Sequence, residues 1–255
     1  MEIKEYFVEN VEQYISVINE NFPKFSLSRG QWRDQSLFPS ALRLDETGMR
    51  IFSDSQIELF LDDFKNESLQ YIYGHGSNIQ NDYEWLVYAQ HFGVPTRLLD
   101  FTFSHLVSLM FAVEKAFDKD DEETSVVWLL DCGYLNKKAI DNKDIVNLSS
   151  YDLSIHAIEY PCAVTARKIN PRVIAQNGVF VLFQKESPPL EKIDIAKDVL
   201  RKIIIPHTRA RRIISELYAM GMRFNKLYPE LTSVSKDILL KNNVMEYLKM
   251  ENENE

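Results

Sequence analysis

Apolar residues recur at helical spacing in some stretches of this 255-residue chain and alternate at strand spacing in others. Val11, Tyr14, Ile15 and Ile18 share one side of a 3.6-residue repeat, which predicts an amphipathic helix over Val8 to Ile18. Phe25 to Ser28 alternates apolar and polar positions and runs into Arg29-Gly30, as a short strand ending at a site would. Ile57, Phe60, Leu61 and Phe64 predict a helix from Ser53 to Tyr71, begun by Ser53 or Ser55. Tyr73-Gly74-His75-Gly76-Ser77-Asn78 has the chemistry of a loop. A further helix is expected from about Asp82 to His91, stopping before Gly93 and Pro95.

The strongest helical pattern runs from Ser104 to Phe117, with Leu106, Met110, Val113 and Phe117 on one face and Ser104 as its cap. An acidic loop follows from Asp118 to Glu123. Ser125 to Asp131 is a continuous apolar run bounded by charge, the mark of a strand covered on both faces. Arg172 to Gln184 suggests one or two core strands, and Ile203 to Pro206 a short one. Thr208 to Met220 reads as a helix capped by Thr208, and the polar end beyond Lys249 as frayed. Helices and strands mix without a steady βαβ rhythm. The expected fold is therefore a single α+β domain, a mixed or antiparallel central sheet flanked by helices.

Composition narrows the function. Apolar residues make up 45% of the chain, enough for a sizeable core, and the formal charge of -9 disfavours an extended nucleic-acid footprint or an anionic membrane. The N-terminus is acidic rather than signal-like, and no apolar run nears the roughly 20 residues that span a bilayer, so a cytoplasmic protein is expected. Cys132 and Cys162 stand apart from each other and from any histidine at ligand spacing, so neither a disulfide scaffold nor a metal site is expected. No glycine-rich dinucleotide motif, phosphate loop, zinc helix or nucleophile elbow occurs. The basic run His207 to Arg212 reads as a solvated helix face, because Ile213, Ile214 and Leu217 form a buried stripe behind it.

Two segments hold candidate chemistry. Arg29, with Gly30 and Gln31 behind it, offers a planar guanidinium where the backbone can approach a ligand closely; alone, such an arginine is equally a structural brace. The second is AQHFGVPTRLLDFT, residues 89–102, where His91, Arg97, Asp100 and Thr102 stand among apolar neighbours ahead of a helix. Arg97 and Asp100 can form an ion pair, either beside a ligand or as a plain brace. Thr102 and Ser104 reach a helix N-terminus, which favours an anion. His91 is the acid–base candidate, or else a cap on its own helix end.

These residues carry a resemblance. Arg29-Gly30-Gln31, Pro39-Ser40 and Arg43, then AQHFGVPTRLLDFTFSHLVSLMFA, resemble the FRG domain family, with Ser28 where an aromatic is usual and Phe101 where Trp is common. Arg172, Gln176-Asn177-Gly178-Val179-Phe180 and a closing segment to Leu231 extend the likeness. The resemblance implies an N-terminal helix over residues 1–24, the domain over 25–231 and a C-terminal helical tail over 232–255. A weaker likeness of layout, to ADP-ribosyltransferases, implies a nucleotide-type pocket with NAD as a substrate rather than a bound cofactor. Arg29 would hold pyrophosphate, Thr102 and Gln176 would orient ribose, and His91 or Asp100, ordered by Arg97, would stabilise the transition state. Gln31 and Ser104 would add ligand contacts. Gln176 stands where such enzymes carry a catalytic glutamate, with Glu186 the nearest acid. The alternative is a non-catalytic ligand-sensing or interaction module, in either case with a place in microbial defence; oligomeric state is left open.

Overall fold

The computed structural model describes residues 2–72, 79–118, 123–149, 158–167 and 171–253. In chain order these form β1 (Lys4–Phe7), α1 (Val11–Asn21), β2 (Leu27–Gln31), α2 (Asp54–Ile72), α3 (Asp82–His91), β3 (Leu98–Thr102), α4 (His105–Ala112) and β4 (Ser125–Leu130). Then come α5 (Cys132–Ile140), β5 (Val146–Asn147), β6 (Cys162–Thr165), α6 (Pro171–Ala175), β7 (Gly178–Leu182), α7 (Ala196–Val199) and β8 (Leu200–Ile205). The chain closes with α8 (His207–Ala219), α9 (Phe224–Leu227) and α10 (Leu231–Glu253).

The strands lie in one sheet, in the order β1-β8-β4-β2-β3-β7-β6-β5. Only the outermost pairs, β1 with β8 and β5 with β6, are parallel. All pairs between them are antiparallel. The mixed α+β architecture expected from the sequence is the one observed.

Strand periodicity divides the side chains between two faces. On β4, Val126, Trp128 and Leu130 join one core with Leu27, Leu99, Phe101 and Val181, covered by Leu37, Leu42 and Leu135. Val127 and Leu129 point the other way, into a core shared with Tyr14, Met110, Ile213 and Leu217. SVVWLL is apolar throughout because both of its faces are covered. A third cluster, around Leu98, Phe180, Leu182 and Val87, fills the same side of the sheet further along. The stretch between the second and third clusters, over β2 and β3, is where the sheet carries polar residues.

Helix ends follow their caps. Asn81 accepts from the Glu84 amide at the start of α3, and Gly93, with φ of +88°, lets the chain turn away after it. The fourth predicted helix is shorter than expected: α4 stops at Ala112, and turns closed by Ala116 N to Val113 O and Asp118 N to Lys115 O replace its last part. Ser104 and Thr208 do not cap through their hydroxyls. Ser104 sits at the N-cap of α4 without such a bond, and Pro206 takes that position in α8. Arg172 to Gln184 is a short helix followed by one strand, and Lys4–Phe7 adds an edge strand ahead of the expected first helix. The arginines of the basic run find local partners: Arg209 with Glu9, Arg211 with the Ala116 carbonyl and Arg212 with Glu216. The expected loop at Tyr73 to Asn78 and most of the acidic one lie outside the described residues. Among the described residues, no helix is long and apolar enough to cross a membrane.

Candidate functional site

β3 pairs with β7 over five positions, but β2 and β3 share one register pair, Ser28 with Thr102. Beyond it the two strands part, and a cavity of about 310 Å³ opens, bordered by Arg29, Gly30 and Gln31 on one side and Asp100 and Thr102 on the other. One flank of this opening is held in place by α4, whose backbone lies directly on β2. A Cβ on Gly30 would fall 1.8 Å from the Ser108 carbonyl oxygen and 2.8 Å from the Ala112 nitrogen. Only glycine admits this approach. Ser28 and Ser108 hydroxyls, 2.7 Å apart, join the same contact.

Arg29 spans the gap between the strands. Its Nη1 donates to the Asp100 carbonyl at 2.8 Å and lies 3.8 Å from the Asp100 carboxylate. Burial lowers its pKa, with Asp100 opposing, yet a guanidinium starting so high stays charged. Asp100 itself is exposed and accepts from Gln90 Nε2 at 2.8 Å, while Thr96 donates to Gln90 Oε1 at 2.5 Å. Gln90, Thr96 and Asp100 of the 89–102 motif therefore form a single hydrogen-bonded chain that ends on Arg29.

The structure brings Arg29, Gln31, His91, Asp100, Thr102 and Gln176 around the one cavity. Thr102 donates to the Gln176 carbonyl at 2.6 Å and accepts from the Ser104 amide, so its hydroxyl is committed to the fold. Gln176 Nε2 donates to the Leu227 carbonyl and ties the loop to α9. Burial, then the charge of Arg172, holds His91 below the usual imidazole range, and Glu230 opposes them. Neutral imidazole is the resting form near pH 7.

Arg97 and Ser104 are not among the residues lining the cavity. Arg97 lies in the bend just ahead of β3 and does not pair with Asp100, the ion pair that the sequence suggested. Its Nη1 reaches the Phe183 carbonyl at 3.4 Å instead, and Asp100 takes Arg29 as its ionic partner. The cavity likewise meets the far end of α4 rather than its N-terminus, through Phe111 and the turn residue Glu114.

Glu114 is the residue that the sequence reading missed. Burial raises its pKa, against the charges of Lys236, Lys115 and Arg172. The signal was a lone acid closing the apolar run LVSLMFAV, three residues after Phe111 and so on the same side of a helical turn. Two further wall residues came unannounced in this role: the Arg172 guanidinium lies 4.5 Å from the centre of the Tyr228 ring, which packs on Phe111 at 5.7 Å. Residues 26–121 match the family model of the FRG domain. Over that stretch the chain is similar to the FRG domain. The match spans β2, β3 and α4, together with Gln90, Asp100 and Glu114, but stops before Arg172, Gln176 and Tyr228. No curated protein and no solved structure matches the chain.

Proposed function

We propose that the cavity of this FRG-like domain binds a nucleotide-type small molecule, and that the protein consumes NAD by ADP-ribosyl transfer. One observation carries this reading: a half-buried arginine, a neutral histidine and a half-buried glutamate border the same cavity. The Arg29 charge draws in the pyrophosphate. Glu114 faces the ribose cation that develops as the bond between nicotinamide and ribose breaks, and its carboxylate stabilises that charge. The bonding electrons leave with nicotinamide. The acceptor's nucleophile bonds to the vacated ribose carbon, and His91 takes its proton. Asp100 holds Arg29 in position, while Thr102 and Gln176 shape the wall instead of gripping ribose.

The test is incubation with NAD and cell extract, following free nicotinamide and ADP-ribose on product. Arg29→Ala and Glu114→Gln are each expected to lower nicotinamide release by about 100-fold or more. Burial raises the Glu114 pKa, so the fold penalises its carboxylate, a cost absent below the ordinary carboxylate pKa and fully felt above the raised one. Glu114→Gln should therefore melt at or above the wild-type temperature at pH 7 even as activity falls. Wild-type protein that releases no nicotinamide would sink the transfer reading. A ligand-sensing module without turnover is the second reading, favoured by the internal use of the Thr102 and Gln176 donors. Saturable thermal stabilisation by nucleotides with no product marks that case.

A further inference from the structure

Most polar side chains around the cavity are already spoken for by the fold. Thr102, Gln90 and Gln176 each donate to another part of the protein. Two atoms differ: Arg29 Nε and Gln31 Oε1 are buried and meet no hydrogen-bond partner among the described residues. Gln31 is only 7% exposed, so its side chain is built into the wall rather than waving in solvent. Arg29 and Gln31 are two apart on β2 and leave the strand on the same side, and both border the cavity. One atom can only donate and the other can only accept. Buried polar atoms left in this state are uncommon in folded proteins, and a ligand that satisfies both recovers what the fold gives up.

We propose that Arg29 Nε and Gln31 Oε1 together read a sugar hydroxyl, so that the cavity selects a ribose-bearing phosphate over bare phosphate or pyrophosphate. A hydroxyl oxygen accepts from the Arg29 Nε–H while its own O–H donates to Gln31 Oε1, which completes both atoms with one ligand group. A phosphate oxygen satisfies Arg29 but sets a lone pair against Gln31. An ammonium satisfies Gln31 but sets a donor against Arg29. The volume, about 310 Å³, suits a nucleoside-sized group, and the Phe111–Tyr228 ring pair adds an aromatic wall beside it. This inference rests on the nucleotide reading of the cavity and not on the transfer chemistry.

The test compares ADP-ribose with inorganic pyrophosphate on the full chain, by titration calorimetry and thermal shift. Gln31→Met keeps the side-chain length and removes the acceptor. It is expected to weaken ADP-ribose binding at least tenfold and to leave pyrophosphate binding unchanged. The unliganded variant should melt at or above the wild type, because an unsatisfied buried group has been removed. Equal binding of ADP-ribose by Gln31→Met, a parallel loss for pyrophosphate, or no ADP-ribose binding by wild type each overturns the proposal. If Gln31→Met does not fold, Gln31→Glu keeps an acceptor at that position. Retained preference for ADP-ribose in that variant supports the proposal, and its loss overturns it. Gln31-dependent ADP-ribose binding without nicotinamide release removes the transfer reading alone. Nicotinamide release with an unchanged KM in Gln31→Met removes this inference alone.

Discussion

Gly30→Ala is expected to destabilise the protein by about 3 kcal/mol or more and to abolish binding in the cavity. The new methyl would lie 1.8 Å from the Ser108 carbonyl oxygen, and both of the nearest residues are met at their backbone atoms. No rotamer change relieves such a clash. β2 and α4 would have to separate by more than about 1 Å before ordinary contact returned. That movement breaks the 2.7 Å contact between Ser28 and Ser108, and strains the bond from the Tyr14 hydroxyl to the His105 carbonyl. It also shifts Phe111 and Glu114 away from Arg29. Gly48→Ala is the natural control: Gly48 has φ of +82° but nothing within 4 Å, so only backbone strain of about 1 kcal/mol is expected. Urea midpoints from circular dichroism measure both. Equal midpoints for the two variants would show that α4 does not rest on β2 as described.

Glu84→Ala is expected to destabilise the protein by about 1–3 kcal/mol, because it removes the carboxylate that half-exposed Arg167 grips and the acceptor of the Gln80 amide at once. The Glu84 side chain is fully buried and receives Arg167 through Nε at 2.5 Å and Nη2 at 2.6 Å. Its other duty is at the start of α3, where it accepts from the Gln80 amide while Asn81 accepts from the Glu84 amide. Arg167 foremost, with the Gln80 amide and Ser149 and against burial, depresses the Glu84 carboxyl to about 2. Its folded-state pKa thus lies below the unfolded value, so the stabilisation is full above about pH 4.5 and drains away as pH falls towards 2. Glu84→Gln should flatten this part of the acid-stability curve. Urea titrations between pH 7 and pH 2.5 check it, and a slope in Glu84→Gln identical to wild type would contradict the assignment. The consequence for the site is direct, since α3 carries Gln90 and His91 at its far end.

How far the chain could be read without coordinates follows from the range of each interaction. α3 was legible, and its end most sharply, because the turn at Gly93 and Pro95 is a local signal. SVVWLL was legible because burial on both faces leaves no polar position in a strand. β1 was not: KEYF at the sheet edge has only Tyr6 partly buried, so no apolar alternation marks it. The end of α4 was misjudged because apolar spacing continues through Val113 and Phe117 after the backbone has left the helix. Arg97 and Asp100 looked like partners at three residues' distance, yet each takes a partner far away in sequence, Phe183 for one and Arg29 for the other.

The sequence by itself determined the kind of fold, most of the helices, the central strand and the location of the FRG-like motif. Each of those depends on spacing within a few residues, where periodicity and caps act. Only the tertiary structure decided how the motif is used. Strand order places Ser28 against Thr102 and lets β2 and β3 part beyond them, so that Arg29 meets Asp100 and Glu114 enters the wall. It also decided which polar groups are free. Thr102 and Gln176 are consumed by neighbours that fold against them, whereas Arg29 Nε and Gln31 Oε1 are buried without any among the described residues. Hydrogen-bond satisfaction is a property of the packed whole, and no local pattern of residues carries it.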